Sequence, residues 1–236
     1  MSGIVFIVSA PSGSGKSTLT AEMMRLVSGL EFSVSYTTRR PRGSERNGVE
    51  YFFVPKEDFE RMIAADEFLE HACVFGDYYG TARSSVDKAS KAGHDLLLDI
   101  DVQGAAQVKR RVPGAVSIFI LPPSRTILEQ RLRRRSESEK VDGEVISKRL
   151  NAAGREIENY STYDYILVND QLDQSIDELK AIILAERIKR SGNVVAAEEE
   201  KLTIETAERC RLSNVRERVQ QILASFAQGE PARSGD

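Results

Sequence analysis

The sequence predicts an α/β fold: a parallel sheet flanked by helices, interrupted by a small mixed-β lobe and carrying a helical lid. Three observations predict it. An apolar run at residues 4–8 leads through a glycine loop into a segment with helical spacing, Leu19, Met23, Leu26 and Val27. From residue 96 to residue 188, apolar runs alternate with helical patterns, which is the rhythm of a parallel sheet. Between these stretches, residues 33–83 are mainly short strand patterns and break the rhythm, so they read as an insertion.

Each element follows from its local pattern. Residues 4–8 are apolar throughout, so 4–9 read as a central parallel strand, and the helix after the loop stops near Ser28-Gly29. Residues 32–38, F-S-V-S-Y-T-T, alternate and are β-branched, hence one strand, with Pro41 and Gly43 marking the turn beyond it. Residues 44–50 are polar and expected to be exposed; 51–54 form a short aromatic strand, 56–65 a helix, 68–75 and 78–83 further strands, and 84–92 a helix ending at Gly93. The α/β rhythm resumes with a strand at 96–101, a helix at 103–112 and a strand at 115–121 stopped by Pro122-Pro123. Ser124 is placed to cap a helix reaching Arg135. Residues 136–142 are charged and expected to be mobile; 144–160 read as a helix, 165–168 as the last strand and 172–188 as a helix returning to the sheet. The division expected is a core at 1–32 and 84–190 with a lid at about 125–155, a lobe at 33–83 and a helical extension at 191–236. Residues 196–227 of the extension read as a helix in two pieces, either an amphipathic surface helix or a homo-oligomer contact, with a frayed tail from 229.

The bulk numbers limit what the chain does. Its 236 residues are 41% hydrophobic and 29% charged, as in globular proteins, and suit one domain with an insertion or two small ones. A net charge of −3 argues against a general nucleic-acid partner, although arginines cluster at 39–42 and 131–135. The two cysteines, Cys73 and Cys210, offer no metal spacing and no disulfide framework, which points to a reducing compartment. No apolar run approaches a membrane span and no signal peptide precedes the first strand, so no membrane partner and a cytoplasmic location are expected.

The chemistry concentrates in four stretches. Ala10, Pro11, Ser12, Gly13, Ser14, Gly15, Lys16, Ser17 and Thr18 spell A-P-S-G-S-G-K-S-T between a strand and a helix. That is the context of a phosphate-binding loop. The glycines let successive N–H groups point inward, the helix N-terminus adds partial positive charge, Lys16 reaches the outer phosphates and the Ser17 hydroxyl can ligate Mg²⁺. Alanine stands at position 10 where the strict pattern has glycine. Asp99 ends the apolar run L-L-L-D, where a Mg²⁺-associated acid belongs; the alternative is a cap for the next helix, and Asp101 suits that role almost as well. Arg39 and Arg42 flank Pro41, and their planar forks suit a second phosphate. The run Arg131 to Arg135, with Arg149, can neutralise charge on a transferring phosphate. For both arginine groups the rival reading is a solvated basic face.

Residues 4 to about 190 resemble guanylate kinase, the nucleoside monophosphate kinase family that acts on GMP. The resemblance runs through S-A-P-S-G-S-G-K-S-T, S-x-T-T-R-x-P-R at 35–42, N-G-V-E-Y-F-F-V at 47–54, F-L-E at 68–70, Y-Y-G-T at 78–81, L-D-I-D-V-Q-G at 98–104 and V-N-D at 168–170. It implies transfer of a phosphoryl group from ATP to GMP, and to dGMP, with Mg²⁺. Arg39, Arg42, Tyr51 and Tyr79 would hold the GMP phosphate. Glu70 would accept hydrogen bonds from guanine N1–H and the 2-amino group, with Ser35, Thr81 and Asp101 completing the base pocket. Lys16, Ser17 and Thr18 match the ATP loop, Arg135 and Arg149 the lid arginines, and Asn169 a loop near the adenine. Ser136 follows Arg135 where the family usually has glycine, and the resemblance does not cover the extension. Two rival readings stand beside it: a kinase of another nucleotide or of a ribose bisphosphate on this architecture, and a catalytically inactive phosphopeptide-binding scaffold. The intact G-K-S-T and Asp99 argue against the second.

Overall fold

The structure is a computed structural model that describes residues 3–74, 76–139, 143–192 and 197–227, of which 135–139, 143 and 144 are described by their backbone. In chain order the elements are β1 (Val5–Ser9), α1 (Lys16–Leu26), β2 (Leu30–Phe32), β3 (Tyr36–Thr37), β4 (Phe52–Phe53) and α2 (Lys56–Ala64). Next come β5 (Phe68–Val74), β6 (Asp77–Ala82), α3 (Arg83–Ala92), β7 (Asp95–Asp99), α4 (Val102–Arg111) and β8 (Val116–Leu121). The remainder holds α5 (Arg125–Glu139), α6 (Gly143–Ile157), a 3-10 turn (Glu158–Thr162), β9 (Tyr165–Val168), α7 (Leu172–Ser191), α8 (Glu198–Arg209) and α9 (Leu212–Ala227). The chain forms two compact units, one from the residues up to Val8 with Val27–Ser117, the other from Ser9–Leu26 with the chain from Ile118 onward.

Parallel strands make up the central sheet in each unit. In the first unit β2, β7 and β1 lie in that order, with Val5 opposite Leu96 and Val8 opposite Asp99. In the second, β8 pairs with β9 from Ile118–Tyr165 to Leu121–Val168. β1, β8 and β9 are buried along their whole length, which explains why they read as unbroken apolar runs. Buried Asp95 fixes the start of the sheet by accepting the Ile4 N–H on Oδ1 at 2.6 Å.

The inserted lobe of the first unit has its own four-stranded sheet, ordered β4-β3-β6-β5, with β3–β4 parallel and the other two pairings antiparallel. Stacked Phe59, Phe68 and Tyr78 fill it, with ring centroids 4.4 and 5.4 Å apart. Here the structure corrects the single strand expected at 32–38. Leu30–Phe32 pairs with β7 in the central sheet, and Tyr36–Thr37 belongs to the lobe. The backbone changes partners between them: the Ser33 N–H donates to Leu97 O at 3.0 Å, whereas the Ser35 carbonyl accepts from Phe52 N at 2.9 Å. An alternating pattern does not say which sheet satisfies each half.

Three helix ends also move. α5 runs on to Glu139 through part of the stretch expected to be mobile, with Arg133 paired one turn back to Glu129 at 2.6 Å; residues 140–142 lie outside the described residues. Ser124 does cap it, accepting the Ile127 N–H on Oγ at 3.2 Å. The helix expected to reach residue 160 tightens into the 3-10 turn after Ile157, where the Asn159 amide competes for the carbonyls of Arg155 and Glu156. α7 continues to Ser191 and ends on Gly192 at φ 69°.

The extension is two helices, as expected, and docks on its own unit. At the elbow between α8 and α9 the Ile166 N–H donates to Cys210 O at 2.8 Å, and Arg211 bridges Tyr165, so the extension continues the β9 edge of the sheet. The Arg211 guanidinium lies 4.0 Å over the Tyr165 ring and 2.9 Å from Glu186, which also accepts the Tyr165 hydroxyl. Val219 and Ile222 of α9 are buried. The expected tail from residue 229 lies outside the described residues.

The elbow makes the two free thiols unequal. Cys73 is exposed, whereas burial pushes the Cys210 thiol up to about 12. Because the thiolate is the nucleophile, a thiol-reactive reagent at pH 8 is expected to titrate one fast thiol in the folded protein and two after denaturation. A second fast thiol that persists in Cys73→Ser would mean that the elbow opens in solution.

Candidate active site

The first unit carries the eight expected acceptor-side residues: Ser35, Arg39, Arg42, Tyr51, Glu70, Tyr79, Thr81 and Asp101. Glu70, Thr81, Ser35 and Arg39 are the buried ones among them, and Glu70 is the buried carboxylate. It sits on β5, 3% exposed, and its Oε1 accepts the Thr81 hydroxyl of β6 at 2.6 Å. β5 is tied to α4 on the same side. Gln107 and His71 exchange two hydrogen bonds, at 3.3 and 2.7 Å, and Arg111 donates to the carbonyls of Phe68 and Leu69 at 2.6 and 2.8 Å. Burial pushes the Glu70 carboxyl up to about 7; the negative charge of Asp101 adds to this and the Thr81 hydrogen bond opposes it. Asp101 does what the alternative reading allowed. It caps α4 by accepting the Gly104 N–H on Oδ1 at 2.8 Å, while Asp99 stands half-buried at the end of β7. Ser35 is buried in the crossover from β2 to β3.

The arginine turn is built around a partner that the sequence reading passed over. Arg39 is 8% exposed, and an arginine so placed needs a counter-charge. Glu45 supplies it through a two-pronged pair, Nη1–Oε2 at 2.9 Å and Nη2–Oε1 at 3.0 Å, and accepts the Arg42 N–H at 2.7 Å. This overturns the expectation for 44–50 at that one position: Glu45 is half-buried, and Arg39 above all draws its carboxyl below the usual range. The Arg39 guanidinium also lies 5.3 Å from the Tyr51 ring, which meets Tyr79 edge-on at 5.8 Å. Burial raises the Tyr51 phenol to about 12, so it stays a hydrogen-bond donor. The Arg42 side chain is exposed. The fork of Arg39 is thus engaged by a carboxylate of its own turn.

In the second unit the loop from Ala10 to Gly15 runs into α1 at Lys16. Gly13 and Gly15 have φ of 92° and 89°, a region L-residues avoid; Ala10 does not, which is why alanine is accommodated there. Ser17 and Thr18 are exposed on the first turn of the helix. Asn169 is buried just after β9 and its amide donates to Ser14 O at 2.7 Å, so its side chain is committed to holding the loop. Arg131 of α5 in turn donates to Asn169 O at 2.9 Å, while its Nη1 is buried without a hydrogen-bond partner and burial lowers its pKa. A guanidinium in that state, beside a loop of this kind, asks for an anion. Of the expected lid arginines, Arg149 is half-buried on α6, and the side chain of Arg135, like that of Ser136, lies outside the described residues.

The fold and this loop define a phosphate-loop kinase of the α/β class. The guanylate kinase family model matches residues 3–186. A guanylate kinase of Koribacter versatilis is 61% identical over 226 residues, spanning 96% of this chain and 97% of that protein. One from Escherichia coli K12 is 48% identical over 191 residues, covering 80% and 91%. The crystal structure of guanylate kinase from Anaplasma phagocytophilum superposes with a TM-score of 0.66 at 33% identity, over 79% of this chain and 87% of that one. This chain belongs to the guanylate kinase family.

Besides Glu45, the sequence reading missed Gly104. A Cβ on this residue would lie 2.4 Å from Glu70 Oε2 and 3.0 Å from its Cδ, so the carboxylate occupies the space of the absent side chain. The signal was available: glycine near the start of a helix costs about 1 kcal/mol against alanine. Likewise Glu45 falls three residues after Arg42 in the turn.

Two outcomes are expected. Only the ionised Glu70 accepts from two donors, and a carboxyl near 7 loses that form as pH falls. Between pH 8 and pH 6, kcat/KM for GMP should therefore drop, approaching tenfold per pH unit below the pKa. Glu70→Gln should lose most of the activity and also this limb of the profile; an unchanged slope in that variant would assign the titration to another group. The same shift has a stability side. A carboxyl raised on folding stabilises below its unfolded pKa, and that contribution fades as pH rises through about 7. Second, Gly104→Ala should keep the fold and lower GMP turnover at least tenfold by displacing the carboxylate, with the ATP dissociation constant unchanged. Wild-type kcat/KM for GMP in that variant would show that the pocket has slack there.

Proposed function

We infer that the chain transfers the γ-phosphoryl group of ATP to GMP, giving ADP and GDP, in guanine nucleotide metabolism. The observation that carries the choice of acceptor is the buried Glu70 carboxylate, with Thr81 and Asp101 around it. Guanine presents N1–H and N2–H₂ as donors on one edge and the carboxylate is all acceptor; adenine lacks that edge and would leave a desolvated charge unpaired. Arg39, Arg42, Tyr51 and Tyr79 are assigned to the acceptor phosphate, and Ser35 to the base pocket. The loop from Ala10 to Thr18 is assigned to ATP, with Lys16 at the outer phosphates. Arg131, Arg135 and Arg149 are assigned to the transferring group. We propose the division read from the sequence, a core at 1–32 and 84–190 with a lid at about 125–155 and a lobe at 33–83 for the acceptor.

The acceptor is an ionised phosphate, so neither a covalent intermediate nor a strong general base is needed. The residues have to position the two ends in line and neutralise charge. Mg²⁺ belongs to this reading: the Ser17 hydroxyl and the Asp99 carboxylate are each the kind of oxygen donor it takes, and the ion would supply charge neutralisation on the ATP phosphates. No helix among the described residues is long and apolar enough to cross a membrane, and we place the protein in the cytoplasm.

The test is ADP release with ATP and Mg²⁺, offering GMP, dGMP, AMP, CMP, UMP and dTMP separately. Turnover is expected with GMP, with dGMP weaker or equal, and at least a hundredfold less with the others. Equal turnover with AMP, or none with any of them from a folded protein that binds ATP, would remove the guanine pocket and leave the phosphate loop.

A further inference from the structure

Helix α9 lies beyond the last residue matched by the family model, yet it packs on α5, which reaches the phosphate loop, and on α6. Leu128 and Leu132 of α5 and Ile146, Leu150 and Ala153 of α6 form a buried cluster, and Phe226 of α9 packs against it. The neighbouring Ser225 accepts the Arg125 N–H on Oγ at 3.1 Å. That N–H belongs to the first residue of α5 and has no partner within its own helix, so α9 caps α5 from outside. Gln220, further back on α9, donates to the Tyr160 hydroxyl at 3.1 Å, after α6.

The same face of α5 reaches the loop by two separate routes. Leu128 Cδ1 and Leu132 Cδ2 would each be 3.0 Å from a Cβ on Gly13, so the two leucines lie directly against the loop backbone. Between them on the helix, Arg131 holds the Asn169 carbonyl, and the Asn169 amide holds the Ser14 carbonyl. The loop binds through backbone N–H groups whose directions are set by its shape, so a shift of α5 of a few tenths of an ångström alters the donors a phosphate meets.

We propose that α9 is a brace for the nucleotide side of the site: Ser225 and Phe226 are positioning residues that hold α5 against the phosphate loop and so set the affinity for ATP. The proposal rests on the assignment of the loop to a nucleotide triphosphate, and not on the identity of the acceptor.

The experiment uses the full chain and the variants Phe226→Ala, Phe226→Leu and Ser225→Ala. It reads the dissociation constants of ATP and ADP without acceptor, KM for each substrate, and the melting temperature. Phe226→Ala is expected to weaken ATP roughly three- to thirtyfold, the range for residues coupled through a packed network, with KM for GMP changed less than about twofold. Phe226→Leu should restore most of the affinity, and Ser225→Ala should weaken ATP in the same direction. A lower melting temperature with wild-type ATP affinity, or an equal loss for ATP and GMP, would overturn the proposal and leave α9 as a stabilising element. If the chain turned over no GMP at all, the ATP dissociation constants would still decide it.

Discussion

Burying a carboxylate that no cation among the described residues pairs is the constraint on which the acceptor half depends. Glu70 is nearly inaccessible, and the groups that shape its charge are the Thr81 hydroxyl and a second carboxylate, Asp101. The surroundings follow from that. β5 is stapled to α4 by Gln107 and Arg111, so the carboxylate stays where it is expensive to ionise. Asp101 spends one oxygen on the α4 N-terminus, worth about 1 kcal/mol as a cap, and lends its remaining charge to the pocket. Gly104 gives up a side chain so that the second Glu70 oxygen has room. A protein optimised for stability alone would put alanine at 104 and a neutral residue at 70.

The nucleotide half is organised on the opposite principle. On the proposed reading its loop binds through backbone N–H groups, and the nearby side chains are engaged in keeping the loop in shape. Asn169 and Arg131 form a relay of hydrogen bonds onto it, and Leu128 and Leu132 press on Gly13. This division of labour explains why a segment as remote in sequence as α9 is relevant to it. Backbone donors cannot be adjusted one at a time as side-chain rotamers can, so the packing behind them carries the precision.

Much of this was legible because it rests on local patterns. The loop, the all-apolar strands and the helical repeats each announce themselves within ten or fifteen residues. What was not legible depends on partners distant in sequence. The stretch 32–38 alternates as one strand should, yet its ends pair with different sheets. Glu45 reads as one more exposed acid until Arg39 is seen buried beside Tyr51. Asn169 lies 155 positions from the carbonyl it holds, and nothing in V-N-D distinguishes a residue that supports a loop from one that touches a base. Gly104 ends the motif L-D-I-D-V-Q-G with no role legible in it, because a missing side chain shows its purpose only when the neighbour that fills the space is known.

The two buried charges of the acceptor half differ in a way that bears on selectivity. Arg39 already has a carboxylate on its fork, so a phosphate arriving there competes with Glu45 or shares the guanidinium with it, and the net gain is the difference between two oxyanions. Among the described residues, Glu70 is met by Thr81 alone, whose hydrogen bonds offset only part of the burial penalty, so further donors arriving at the carboxylate relieve what Thr81 leaves. On the proposed reading, the phosphate end then orients any nucleotide monophosphate with modest discrimination, whereas the base end separates guanine from the rest. Placing the unpaired charge at the base rather than at the phosphate makes the feature that differs among nucleotides the one that is read, and the feature they share the one that is merely held.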